Sequence, residues 1–109
     1  MAVAPKKIQQ IAKKGLEERK KYSDVKNKPG TDVGVARARD IANGKDLSEE
    51  TIKRMKSFLA RHEKNNKPGE RDSKGRLSRG TVSYMLWGGE EAKDWVDKVI
   101  EKLVEKNNG

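Results

Sequence analysis

Residues 40–55 read DIANGKDLSEETIKRM, and the last part of that stretch, LSEETIKRM at 47–55, has a counterpart in LSRGTVSYM at 77–85. Both fit Leu-Ser-x-x-Thr-(Ile/Val)-x-x-Met. A Ser oxygen accepts from a free first-turn N–H, so Ser48 and Ser78 are each expected to cap a helix. The β-branched residue and the Met then fall three apart, on one buried face. Two capped, amphipathic helices therefore anchor the reading of the whole chain as all-α.

Working outward, Pro5 sits where a first helical turn tolerates proline. Ile8, Ile11, Ala12 and Leu16 follow helical spacing through PKKIQQIAKKGLEERKKY, with a polar face rich in lysine. SDVKNKPGT then reads as a loop with a Pro-Gly turn. Thr31 or Asp32 caps a second helix over roughly 33–42 with Val33, Ala36 and Ile41 inward, ending at Asn43-Gly44. The third helix opens at Ser48 and ends near Lys64, carrying Ile52, Met55, Phe58, Leu59 and His62. Residues 64–76, KNNKPGERDSKGR, hold no apolar side chain and read as an exposed loop. A short fourth helix runs from Ser78 to Gly88-Gly89. The last, roughly 90–106, has Ala92, Trp95, Val96, Val99, Ile100, Leu103 and Val104 on one stripe. No stretch alternates with period two between turn signals.

The expectation is one compact all-α domain over 1–109, of about five short helices with a helix-turn-helix-like corner and two exposed loops. Within it, 1–31 form a basic N-terminal helix and loop, 32–106 the helical core, and 107–109 a frayed tail. Trp87 is expected to close the core beside the Gly-Gly turn, Trp95 to be core, and Tyr84 to be either an exposed stacking residue beside Arg79 or a half-buried one.

Composition narrows the function classes. The 109 residues carry 26 Lys/Arg against 17 Asp/Glu, a net charge of +9. The charge is uneven: +6 over 1–31, +3 over 65–80, and −2 over 81–109. A basic front and an acidic last helix suit a polyanion held on one side. There is no cysteine and one histidine, so neither a disulfide, a thiolate metal site nor a multi-histidine site is expected. No apolar run reaches membrane-spanning length and the N-terminus lacks a signal-peptide core. Neither a thiol nucleophile nor a Walker-type loop is present, and His62 and Glu63, adjacent on a helix, point apart. The expectation is a non-enzyme without cofactor or metal, located in a host cytoplasm or virion. A carboxylate pair brought together from distant helices stays open.

Residues 40–55 resemble the helix-turn-helix of lac-repressor-type regulators through Asp40, Ile41, Ala42, Leu47, Ser48, Thr51, Ile52, Arg54 and Met55. The resemblance implies that Ala42 lets two helices cross, that Ile41, Leu47, Ile52 and Met55 fill the corner, and that the start of the second helix is turned outward. Glu49 and Glu50 at that start repel phosphate, and Asp46 stands where a turn glycine is usual. A plain helix-packing corner, without DNA, fits the same residues.

A wider block also resembles a small domain of tailed bacteriophages. The shared run is Gly34 to Asn43, Leu47, Ser48, Thr51, Arg54, Met55, Ser57 to His62, then Leu86 to Gly89 and Trp95. The resemblance implies a phage protein, standing alone or joined to head-morphogenesis or other phage proteins, and no particular mechanism. Ser78-Arg79-Gly80-Thr81 departs from the small residues usual there, so no role for Arg79 carries over.

The residues expected to bind nucleic acid, DNA first, are Lys13, Lys14, Lys53, Arg54, Arg61, Lys74, Arg76 and Arg79, acting mostly on phosphate. For Arg54 and Arg61, as for Arg37 and Arg39, structural ion pairs with Asp40, Asp46, Glu50 or Glu63 are the simpler alternative. The rival function is a protein-interaction or head-assembly module that meets an acidic phage or host protein. A third is an adaptor that holds an enzyme on DNA.

Overall fold

A computed structural model describes residues 2–23 and 25–108, backbone only for 107 and 108. The chain is all-α. Four helices of 11 to 20 residues, α1 (Lys6–Lys20), α2 (Asp32–Ala42), α3 (Glu49–His62) and α5 (Gly89–Asn108), surround the eight-residue α4 (Arg79–Leu86). The caps fall where the sequence places them. Thr31 accepts from Gly34 N–H, Ser48 from Thr51 N–H and Ser78 from Thr81 N–H. Gly88 and Gly89, at φ of +103° and +70°, turn the chain from α4 into α5. Residues 107 and 108 continue α5 instead of fraying, and Gly109 lies outside the described residues.

The packing order differs from a helix-turn-helix. α2 lies on α1 and α4, and α3 lies along α5, so direct contact between α2 and α3 is slight. Ile41, Leu47, Ile52 and Met55 are all buried in one core, as the corner reading expects. Ala42, however, sits against Lys6, Gln9, Gln10 and Lys13 of α1, so the close crossing it was expected to allow is with α1. Val33 and Ala36 point outward; Gly34, Val35, Ala38 and Ile41 form the inner face of α2.

α1 is a central element, packed on α2, α4 and α5. Its Ile8 and Ala12 belong to the main core, together with Ala38, Leu59, Tyr84, Leu86, Ala92 and Val96. Gly15 faces α4 so closely that a Cβ there would lie 3.0–3.1 Å from Met85 and the Leu86 backbone nitrogen. The glycine that weakens α1 as an isolated helix is thus what lets α4 sit against it. The N-terminal segment crosses the α2–α3 connection: Ala2 N–H donates to Leu47 O at 3.1 Å and Leu47 N–H to Ala2 O at 2.7 Å.

A second, smaller core joins Tyr22, Leu77 and Val82, with Val25 and Met85 at its edge. The Tyr22 hydroxyl donates to Leu77 O at 2.5 Å. The 64–76 segment is tied to it. Asp72 Oδ1 accepts from the backbone N–H groups of Lys74 and Arg76, both at 2.9 Å. Arg71 reaches back 3.0 Å to Glu18, which is 3% exposed.

Candidate functional site

The outward face of α3 carries Lys53, Arg54, Ser57 and Arg61. Helical spacing puts Lys53, Ser57 and Arg61 four apart on one row, with Arg54 beside it. Between this row and α4 the surface is recessed. A hollow of about 360 Å³ is lined by Glu50, Lys53, Arg54, Phe58, Arg61 and Trp87. A second, of about 350 Å³, adjoins it and is lined by Thr31, Phe58, His62, Arg79, Ser83 and Trp87. Phe58 and Trp87 are common to both.

Those shared rings form a pile. Phe58 stacks on Trp87 at 4.7 Å between centroids with 17° between planes, and on His62 at 4.3 Å with 28°. Phe58 and His62 are four apart on α3, which brings their rings together. Trp87 arrives from the end of α4, where it is 7% exposed and closes the core beside the Gly-Gly turn as expected. His62 stands at the outer end of the pile; Asn65 Nδ2 lies 3.5 Å from its Nδ1.

The cations around the hollows are lightly held. Lys53 pairs with Glu49 at 3.1 Å and Arg54 with Glu50 at 2.8 Å, both one helical turn apart on an exposed face. Such pairs contribute about 0.3–0.5 kcal/mol, too little to hold either cation against a phosphate. Arg61 Nε donates to Ser57 O at 3.3 Å, a weak bond. Arg79 donates to the Asn27 carbonyl and lies over the Tyr22 ring, 5.2 Å from its centroid. One N–H serves Asn27, out of the five a guanidinium offers.

The other residues expected to contact phosphate are placed elsewhere. Arg76 is a structural residue: Nε donates to Asp72 Oδ2 at 2.8 Å, its guanidinium covers Tyr22 at 4.6 Å, and its side chain is only 15% exposed. The same contacts, the Arg76 backbone and side-chain donors foremost, hold the Asp72 carboxyl below its usual range. Lys74 is exposed at the tip of the tied 71–77 segment. Lys13 and Lys14 are exposed on α1, with Lys13 beside α2. α1 and α3 have no substantial contact with each other, since both pack on α4 and α5. The eight residues therefore divide into a group of four, Lys53, Arg54, Arg61 and Arg79, and outliers.

Two further sites differ from expectation. Tyr84 is fully buried at 0% exposure, and its hydroxyl donates to Glu90 Oε2 at 2.7 Å. Burial, and then the Glu90 carboxylate, push the Tyr84 phenol well above its usual range. Glu90 is in turn held low, first by the Tyr84 hydroxyl and next by Glu63, although partial burial opposes this. Glu63 also meets Lys93 at 3.5 Å. A carboxylate pair from distant elements thus exists, locked in a Tyr and Lys network at the α4–α5 junction. Trp95 is half-buried instead of core. It lines an apolar groove of about 280 Å³ with Ala2, Val3, Leu47, Ile52 and Leu103.

Among the described residues, no group of three or more His, Cys, Asp or Glu side chains could hold a metal ion. None of the described helices is long and apolar enough to cross a membrane. Compared with known proteins, the chain matches no protein-family model, no curated protein and no solved structure.

Proposed function

We propose that this protein binds nucleic acid without catalysing a reaction, as a domain of the phage type its sequence resembles, with Lys53, Arg54, Arg61 and Arg79 contacting phosphates. The observation that carries this is the gathering of these four cations around two contiguous recesses floored by aromatic rings. Among the described residues, the carboxylates that pair with Lys53 and Arg54 are Glu49 and Glu50, which sit on the same helix surface, where exchange for a phosphate costs little. The start of α3, where a recognition helix would read base edges, carries those same two glutamates, so the contact is with the backbone and not with a major groove.

The test is alanine substitution read by fluorescence-anisotropy binding across a salt series. Arg54→Ala, Arg61→Ala and Arg79→Ala each weaken binding and flatten the salt slope by roughly 1. Arg76→Ala lowers stability and leaves the slope unchanged. Equal slopes for all four variants would overturn the assignment.

A second reading, a protein-interaction or head-assembly module, rests on a different surface. The apolar groove around Trp95 and Val3 is recessed and bordered by Glu49 and Lys102. Val3→Asp would disrupt a protein complex formed there and leave nucleic-acid binding intact.

A further inference from the structure

We propose that the recess between α3 and α4 takes an unpaired nucleobase, stacked on the His62–Phe58–Trp87 pile, so that the preferred partner is single-stranded nucleic acid. This rests on the phosphate reading above and goes beyond it, because phosphate contact alone does not distinguish a single strand from a duplex.

Three observations carry it. The first is the shape of the site. Lys53, Arg54 and Arg61 on the outward face of α3, and Arg79 at the start of α4, stand on the rim of two joined hollows of about 360 and 350 Å³. A duplex presents its phosphates outward and its bases inward, so it cannot fill such hollows with its rings intact. A flexible single strand can turn a base in while its phosphates stay at the rim.

The second is the order of the rings. Successive centroids are 4.7 and 4.3 Å apart and the planes lie within 17° and 28° of parallel. Both faces of Phe58 are used within the protein. The stack therefore grows only from its ends, and His62, half-buried in the wall of the second hollow, is the end nearer to solvent. A base laid on the His62 face turned away from Phe58 continues the pile. Aromatic platforms of this kind are sequence-tolerant, since every base has a π-face.

The third is the position of the charges relative to that face. Arg79 lines the hollow that His62 lines, and Arg61 and Arg54 line the adjoining one, with which it shares Phe58 and Trp87. A strand that places one base on His62 thus has Arg79 in the same hollow and Arg54 and Arg61 in the adjoining one to meet its phosphates. Mixed aromatic and cationic lining is the usual composition of single-strand grooves.

The experiment uses full-length protein carrying Trp95→Phe, which leaves Trp87 as the sole tryptophan. It is titrated at one salt concentration with a 20-nucleotide thymidine homopolymer and with a 20-base-pair duplex. Trp87 emission reports occupancy of the recess and anisotropy of labelled DNA reports affinity. The expected result is a change in Trp87 emission on adding the single strand, because Trp87 lines the hollow that the base enters, with affinity roughly tenfold above that for the duplex. His62→Ala, at a half-exposed position outside the main core, removes about that tenfold advantage and leaves duplex binding unchanged; Phe58→Leu, which keeps an apolar filler against Trp87, behaves likewise. Equal affinity for the two DNAs, with Trp87 emission unchanged and His62→Ala without effect, would overturn the stacking proposal while leaving the phosphate contacts standing. Failure to bind either DNA at low salt would overturn both.

Discussion

Glu18 is a carboxylate on the most basic helix of the chain, yet it is 3% exposed, so its replacement has a calculable consequence. Its Oε1 accepts from Arg71 Nη1 at 3.0 Å and its Oε2 lies 2.7 Å from Lys21 Nζ. Burial alone would raise its pKa; the bonds from Lys21 and Arg71 outweigh that and hold it below the usual carboxylate range. Hydrogen bonds to charged groups contribute about 1.5–3 kcal/mol each. Lys21 and Arg71 are half-exposed and recover hydration when Glu18 loses its charge. Glu18→Gln, which keeps shape and one acceptor, should therefore cost about 1–2 kcal/mol at pH 7. For a chain of this size that lowers Tm by roughly 4–8 °C. A carboxyl whose folded pKa is depressed contributes fully above its unfolded value, ~4.3, and loses that contribution as pH falls through the folded value. The gap between wild type and variant should thus be full at pH 7 and close under acid. Urea denaturation followed by circular dichroism from pH 7 to pH 3 measures it. A variant as stable as wild type at pH 7, or a gap that persists unchanged at pH 3, would refute the reasoning.

Other substitutions test neighbouring parts of the account. Gly15→Ala gains about 1 kcal/mol of helix propensity but drives a methyl into the α4 backbone, where overpacking costs about 1–3 kcal/mol. Net destabilisation is expected by thermal melts, whereas Gly69→Ala, which meets open space, should be near neutral. Tyr84→Phe leaves the buried ring and removes the donor to Glu90. It should cost about 1 kcal/mol and let the Glu90 pKa rise toward the ordinary carboxylate range, as read by carboxyl NMR titration. That rise removes stability that Glu90 contributes above its unfolded pKa, so the part of the acid-side loss due to Glu90 becomes smaller in the variant.

Much of the fold was legible because its signals are local. Thr31, Ser48 and Ser78 cap because an oxygen three residues ahead of a free N–H can do little else in that geometry. The stripe on α5 located Ala92 and Val96 in the core. Trp95 lies on the same stripe, yet periodicity could not say that its edge borders a groove. The fate of α1 was hidden by its lysines: it buries Ile8, Ala12, Gly15 and Glu18, and packs on α2, α4 and α5. Arg76 illustrates the limit for the site. In the sequence it is one more cation in a basic loop; in the fold Asp72 and the Tyr22 ring claim it. The ring pile was half legible, since Phe58 and His62 are one helical turn apart, but Trp87 joins them only through the packing of α4.

The most direct measurement is the salt dependence of binding to a fluorescein-labelled 20-nucleotide single strand, using the unmodified protein. Four phosphate contacts, from Lys53, Arg54, Arg61 and Arg79, predict a slope of log K against log salt of about −2.8. That is a loss of roughly 1.7 decades in affinity between 50 and 200 mM salt. A slope near zero, or no binding at the lowest salt, would contradict the central claim and leave the groove beside Trp95 as the working surface of the molecule.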